Sequence, residues 1–278
     1  YQLLGTPIAG LTINSDGTWS FDPTNTAYQS LAADDTQTIT VDYGVTDSKG
    51  AFATNSFAIT LTGTNDAPVA NAADLVLPSI QEDTSLNFSE AQLLSGTSDV
   101  DGDTLSVVNL SIADNADNSK GELSGNADDG WTFTPKADFN GTVTLDYAIS
   151  DGTAETTSTA TFQVLSVNDA PVAAITAPTA FSTEEDTSFE FTSTELLTRF
   201  DFSDADGDTL SIASITASWG DLSYDETTST YTYTPDSNYN GTDTLNLVVT
   251  DGNGGNTMAS IDVNISAVND KPVVNTSD

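Results

Sequence analysis

The sequence predicts an all-β chain: tandem immunoglobulin-like β-sandwiches arranged end to end. Three observations carry that prediction. A block of about a hundred residues recurs, apolar residues alternate with polar ones, and turn signals are dense between the alternating runs. "NDAPVA" stands at 65–70 and again at 168–173, and "NDKPVV" at 269–274. The steps from Asn65 to Asn168 and from Asn168 to Asn269 are 103 and 101 residues, and such a period is the mark of an array.

Landmarks keep their order inside each block. "QEDTSLNF" (81–88) answers "EEDTSFEF" (184–191), and "FTPKADFNGTVTLDYAISDG" (133–152) answers "YTPDSNYNGTDTLNLVVTDG" (233–252). The first 64 residues hold a shorter relative, with "WSFDP" at 19–23 and "ITVDYGVTDSKG" at 39–50. The blocks give domains at 1–66, 67–169 and 170–270, with 271–278 opening a linker. The start, "YQLLGTPIAG", has no basic flank and reads as a cut made within a domain.

The strands are read from period two. Val143, Leu145, Tyr147 and Ile149 alternate with polar residues, as do Leu245, Leu247 and Val249, and Ile39, Val41, Tyr43 and Val45. Before each Asn–Asp pair come Phe57, Ile59, Leu61; Ala160, Phe162, Val164; and Ile261, Val263, Ile265. "SDG", "NG" and "DGNGG" mark turns, and "NGT" (140–142 and 240–242) reads as a tight hairpin. About seven short strands per hundred residues is a sandwich pattern. Only "SEAQLLSG" (89–96) and "STELLTRF" (193–200) suit a helix, each for a single turn. Trp19 and Phe21, Trp131 and Phe133, and Tyr231 and Tyr233 precede a proline in register and are expected to fill the cores.

Composition excludes several functions. Of 278 residues 42 are acidic and 5 basic, a formal charge of −37. Phosphate contacts need clustered Lys and Arg, so nucleic acid is no partner, and an anionic membrane surface is none either. The acids are not blocked together and 37% of the residues are hydrophobic, which argues against disorder. Neither Cys nor His occurs, so disulfides, thiolate metal sites and the commonest general base are missing. With no phosphate-binding loop and no G-x-S-x-G, the chain reads as no enzyme.

What stands out is "SDVDGDTLSV" (98–107) and its echo "SDADGDTLSI" (203–212). On an extended strand the outer two aspartates of each would lie about 13 Å apart. The glycine lets the backbone curl and brings the carboxylates together. Ca²⁺ takes six to eight oxygens at about 2.3–2.6 Å, whereas the alternative use of such aspartates is in Asx-turns. Two copies in so acidic a chain favour calcium. The glycine position and the missing closing Glu differ from an EF-hand.

Together, "NDAPVA", "EDT", "SDxDGDTLS" and "DGNGG" resemble the cadherin-like tandem repeats of giant bacterial surface proteins, RTX-type adhesins in particular. The partial first block, ending "TGTNDAPVA", resembles a VCBS repeat of the same proteins. The resemblance covers essentially the whole chain. It implies calcium at the junctions between successive sandwiches, a monomer whose partners are its own neighbouring repeats, and a place outside the cell, on a bacterial surface. From Asp66 to Glu82 is 16 residues, a reach of about 50 Å extended, enough to run the length of a sandwich.

Carried over residue by residue, the first junction would use Asn65, Asp66, Asp99, Asp101 and Asp151. The second would use Glu82, Asn168, Asp169, Asp204, Asp206 and Asp251. At the C-terminal end stand Glu185, Asn269 and Asp270. Asp83, Asp103, Asp186 and Asp208 are left open as ligands. The first block lacks the glutamate that the pattern calls for, and "FNGT" and "YNGT" stand where animal cadherins carry an acidic D-R-E element. A second function class is direct adhesive recognition, of a surface polysaccharide or of a protein ligand such as a like module. Its sequence handle is Trp219 with Tyr224, read as a loop absent from the second block.

Overall fold

In a computed structural model that describes residues 1–271, the chain divides into two compact units, 1–166 and 167 onward. The predicted linker beyond Lys271 lies outside the described residues. No helix among the described residues is long and apolar enough to cross a membrane.

The first 64 residues form five strands: β1 (Gln2–Leu3), β2 (Leu11–Ile13), β3 (Trp19–Phe21), β4 (Thr36–Thr46) and β5 (Phe52–Thr62). The sheet order is β1-β4-β5, and β2 and β3 make a separate hairpin. The alternation read from the sequence sets which side faces inward, but only Val41 is fully covered. Trp19 was expected in a core and is instead 51% exposed, resting on Phe57 at 5.1 Å between ring centroids.

The rest of this unit explains why. It comprises β6 (Leu75–Val76), β7 (Ile80–Gln81), β8 (Leu86–Phe88), α1 (Glu90–Leu93), β9 (Ser106–Ile112), β10 (Gly121–Asn126), β11 (Gly130–Pro135), β12 (Gly141–Ser150) and β13 (Glu155–Leu165). One sheet runs β6-β13-β12-β9, with β7 also on β13, and the facing sheet runs β10-β11-β8. Trp131, the counterpart of Trp19, lies beside β8, cross-strand from Phe88 and stacked on it at 6.0 Å. Among the described residues no strand flanks Trp19 as β8 flanks Trp131, and Trp19 stays open.

The two sheets enclose Leu86, Phe88, Trp131 and Phe133 on one side and Val143, Leu145, Tyr147, Ile149, Ala160, Phe162 and Val164 on the other. α1 closes one end. Ser89 and Gln92 cap it reciprocally, the Gln92 N–H donating to Ser89 Oγ and the Ser89 N–H to Gln92 Oε1 (2.8 Å). Ser89→Ala is expected to lower the stability of this unit by about 1 kcal/mol, read as an earlier midpoint in urea unfolding.

The second unit repeats the plan with β14 (Val172–Ala173), β15 (Phe181–Glu184), β16 (Phe189–Thr192), α2 (Ser193–Phe200), β17 (Phe202–Ser203), β18 (Ser211–Thr216), β19 (Gly220–Asp225), β20 (Thr230–Pro235), β21 (Gly241–Thr250) and β22 (Asn256–Ser266). The sheets are β15-β22-β21-β18 and β16-β20-β19, with β14 on β17. α2 is eight residues long, not one turn. Leu196 and Phe200, four apart on one face, are both fully buried, and Arg199 is paired with Glu195 at 2.8 Å.

Two readings are corrected here. "NGT" is no hairpin: β11 and β12, like β20 and β21, belong to opposite sheets, and Gly141 and Gly241 (φ 137° and 141°) end the crossing between them. Nor is Trp219–Tyr224 a loop absent from the second block. "SWGDLS" leads into β19 as "SKGELS" leads into β10, so Trp219 answers to Lys120. The longer connection is in the second block, where 113–120 join β9 to β10, against 217–219 between β18 and β19.

Candidate metal centres

The D-x-D-G-D strings form the same loop twice, just before β9 and β18. Gly102 and Gly207 take φ of 81° and 79°, a left-handed conformation that a side chain would strain. Their Cβ positions open on empty space, so backbone conformation, not room, asks for glycine there.

The turn reading and the ligand reading use different oxygens. Asp99 Oδ1 accepts the Asp101 N–H (2.9 Å) and the Asp103 N–H (3.4 Å). Asp204 Oδ1 accepts from Asp206 (3.0 Å) and Asp208 (3.2 Å). These are Asx-turns. The opposite oxygens, Asp99 Oδ2 and Asp204 Oδ2, are buried without a hydrogen-bond partner, as is Asp101 Oδ1. An orphaned buried carboxylate oxygen is costly, and these, two of them at matching places in the two loops, mark the spots where a cation would sit. One oxygen from each of Asp99, Asp101 and Asp103 lies within 4.8 Å of the others, and the same holds for Asp204, Asp206 and Asp208.

The Asn–Asp linkers enter these clusters. Asn65 Nδ2 donates to Asp151 Oδ2 (3.0 Å) and the Asp66 N–H to Asp101 Oδ2 (2.8 Å). Asn168 Nδ2 donates to Asp251 Oδ2 (2.8 Å) and the Asp169 N–H to Asp206 Oδ2 (2.8 Å). So Asn65, Asp66, Asp99, Asp101 and Asp151 are brought together, and so are Asn168, Asp169, Asp204, Asp206 and Asp251.

The last aspartate of each group is fixed by its own turn. Asp151 Oδ1 accepts the Thr153 and Ala154 N–H groups at 2.6 Å, and Asp251 Oδ1 those of Asn253, Gly254 and Gly255 at 2.7–3.1 Å. The Ala154 amide, with Asn65 and Thr153, holds the Asp151 carboxyl below the usual range. Asn168, with the loop amides, does the same for Asp251. Asp103 moves the other way, pushed up by desolvation and by the charges of Asp99, Asp101 and Asp151.

Glu82 is buried at the end of β7, its N–H donating to Leu165 O (2.9 Å). Glu185 is buried at the corresponding place after β15, its N–H donating to Ser266 O (2.9 Å). Its Oε1 accepts the Val268 N–H (2.6 Å), and its Oε2 lies 3.4 Å from Asn240 Nδ2. Asn269 Nδ2 bonds Asp270 O (3.1 Å), as Asn65 and Asn168 bond the residue after them. Of the aspartates left open, Asp208 is tied to Asn253 Nδ2 (2.7 Å) and Asp186 accepts the Asn238 N–H (3.2 Å). Asp83 and Asp186 both take left-handed backbone, φ 62° and 59°.

Trp219 and Tyr224 do not make one aromatic patch. Trp219 stacks on Tyr239 (5.0 Å, 5° between planes), and Tyr224 packs on Tyr231 (4.5 Å). Sequence reasoning missed Asp243, a carboxylate only 1% exposed inside the second unit's sandwich. It accepts from Ser218 N (3.1 Å), Trp219 N (3.0 Å), Thr244 N (2.8 Å) and the Tyr233 hydroxyl (2.8 Å). Burial, together with this donated bond, pushes the Tyr233 phenol up. The one sequence signal was Asp243 standing where Val143 stands in the other repeat.

A family model described as "Cadherin-like domain" matches residues 64–165 and 167–266. Among solved structures, mouse Cadherin-23 EC22-24 is similar at TM-score 0.52 and 14% identity, over 96% of this chain and 84% of that one. At that identity the likeness speaks for the fold alone. The human Desmocollin-1 ectodomain gives TM-score 0.40 and 13% identity, over 97% of this chain and 54% of that chain. An endo-fucoidan hydrolase from glycoside hydrolase family 107 gives 0.32 and 21%, over 96% of this chain. The chain spans 38% of that hydrolase's length. No curated protein matches.

Proposed function

The chain belongs to the cadherin-like domain family, in two tandem copies, and on that premise we propose that it is a calcium-rigidified spacer of a large bacterial cell-surface adhesin. In this reading it is not an enzyme. It holds a distal ligand-binding region away from the cell. The observation that carries the reading is the set of orphaned carboxylate oxygens on Asp99, Asp101 and Asp204. Each lies in a loop already closed by the partner oxygen of Asp99 or Asp204 or bonded to the Asn–Asp linker, so the turn does not account for it.

Calcium would be held by oxygens of Asp99, Asp101 and Asp151 with Asn65 and Asp66 at the first linker. Asp204, Asp206 and Asp251 with Asn168 and Asp169, and Glu82 from the preceding repeat, would hold it at the second. Glu185, Asn269 and Asp270 would serve a following one. All are hard oxygen donors, the set that Ca²⁺ takes. Extracellular calcium modules bind at about 10⁻⁴–10⁻³ M, so such sites would fill outside a cell and stay empty within it. Without the ion the carboxylates at each linker repel; with it, repeat and linker are bridged.

A calcium titration followed by thermal unfolding and small-angle scattering tests this. Near-millimolar calcium is expected to raise the melting temperature, by about 2.7 kcal/mol of stabilisation at a hundredfold excess over Kd, and to narrow the range of conformations in solution. Indifference of both to calcium would sink the proposal.

A further inference from the structure

The chain passes from one repeat to the next within a residue. Up to Gly63 it is held by the first repeat: the Gly63 N–H donates to Asp35 O (2.8 Å), and its carbonyl accepts the Asp34 N–H (3.3 Å). A Cβ on Gly63 would overlap the Leu31 and Ala32 carbonyls, so the backbone there is pressed against that repeat. From Asn65 onward the holds run forward. Beyond the bonds to Asp151 and Asp101, the Thr156 hydroxyl donates to Pro68 O (2.6 Å), and Val69 and Ser98 exchange both backbone bonds (2.7 and 3.1 Å). Pro68 is buried, and Ala70 packs on the core of the second repeat. Only Thr64 stands between the two sets of holds.

The next linker is held forward in the same way. The Thr257 hydroxyl, at the register place of Thr156, donates to Pro171 O. β14, which follows at once, pairs with β17 of the third repeat. Pro171 is buried, and Ala173 packs on the third repeat's core. A Cβ on Gly255 would stand 2.7 Å from Ala170 Cα and 2.9 Å from Asp169 O, so the loop after β21 lies flat against the linker. Proline fixes its own φ and restricts the residue before it, which stiffens Ala67–Pro68 and Ala170–Pro171 further. A backward hold stands at the end of the third repeat, where Glu185 takes the Val268 N–H (2.6 Å). Val268 precedes Asn269 as Thr64 precedes Asn65 and Val167 precedes Asn168.

We propose that each Asn–Asp linker is a fixed part of the repeat that follows it, ion or no ion, and that the chain turns at one place per linker, where Thr64 meets Asn65 and Val167 meets Asn168. Thr156 and Thr257 are positioning residues. Their hydroxyls pin the proline carbonyls, and through them the Asn–Asp pair, to the last strand of the following repeat. A hinge of one or two residues is enough to absorb such a motion. Resting on the calcium reading above, an arriving ion meets a site whose linker half is already in place, so binding does not have to supply the ordering of that segment.

The chain has no cysteine, so pairs of nitroxide labels can be set at exposed positions of the whole chain and their distance distributions read by double electron–electron resonance in EDTA. Ala170→Cys with Ser260→Cys spans the second linker and the repeat after it; Ala170→Cys with Thr159→Cys spans that linker and the repeat before it. Ala67→Cys with Thr159→Cys, and with Thr60→Cys, does the same at the first linker. All five positions are exposed. The forward pairs are expected to give single narrow distributions, and the backward pairs distributions at least twofold wider. Thr257→Val, which keeps the shape and removes the hydroxyl, is expected to widen the forward pair at Ala170 at least twofold. A forward pair as wide as its backward pair overturns the inference, and so does a backward pair as narrow as the forward one. An unchanged width in Thr257→Val overturns the role given to the threonines. Calcium is added last. Backward pairs that stay wide in calcium defeat the calcium reading and leave the docked linker standing. Forward pairs that are wide in EDTA and narrow only in calcium defeat the docked linker alone.

Discussion

Replacing Asp243 by alanine is expected to destabilise the second unit by about 4 kcal/mol, since two half-buried backbone amides would be left without their acceptor and a buried hydroxyl would keep only a longer one. For a domain of this size that is a fall of about 20 °C in melting temperature. The amides are those of Ser218 and Trp219, and the hydroxyl is that of Tyr233, which keeps the Trp219 carbonyl at 3.3 Å. The second repeat shows why the carboxylate is there. Its longer connection between β9 and β10 carries Asn115, whose side-chain oxygen takes the Lys120 N–H at 2.8 Å. The three-residue connection before β19 has no such residue, and Asp243 reaches out from β21 to do the same work. Tyr233→Phe should cost only about 1.5 kcal/mol, because the ring still fills the core and Asp243 keeps its backbone donors. Thermal unfolding of both variants checks this; a loss under 3 °C for Asp243→Ala would contradict it.

Asp99→Asn is expected to act with opposite signs with and without calcium. Asparagine keeps an oxygen for the Asx-turn amides of Asp101 and Asp103 but loses the charge. In EDTA the 1–166 unit should melt unchanged or slightly higher, because Asp101, Asp103 and Asp151 lose a like-charged neighbour. That neighbour is among the charges that hold the Asp103 carboxyl up. In calcium, affinity at the first linker should fall at least tenfold, which takes the gain at a fixed concentration from about 2.7 to about 1.4 kcal/mol. Asp204→Asn should do the same in the second unit. Calorimetric titration and paired melting curves read it. If melting falls equally in EDTA and in calcium, the carboxylate is a turn element and no ligand.

Much of this was legible in the residues. The period-two runs place Val143, Leu145 and Ile149, and Leu245, Leu247 and Val249, in the cores, because alternation fixes which side of a strand faces inward. The D-x-D-G-D strings and Asn–Asp pairs could be joined because both recur in step. What could not be read depends on partners far away in the chain. Trp19 and Trp131 sit in similar strings, and only the presence of β8 decides which is buried. Asp243 looks like one acid among 42 until the short turn before β19 is seen to need an acceptor. "NGT" has hairpin chemistry, yet it ends a crossing between sheets, which no local pattern reveals.

The parallel pairing of β15 with β22 has a mechanical consequence. β22 is the last strand of its unit and leads straight into Asn269, so tension on the C-terminal linker enters at Ser266 and is directed along the strand. That load falls on both of its ladders at once, ten registers with β21 and four with β15. In this shear geometry the bonds must yield together, whereas a strand pulled sideways from one end unzips bond by bond. β13 is flanked in the same way by β12 and by β6 and β7.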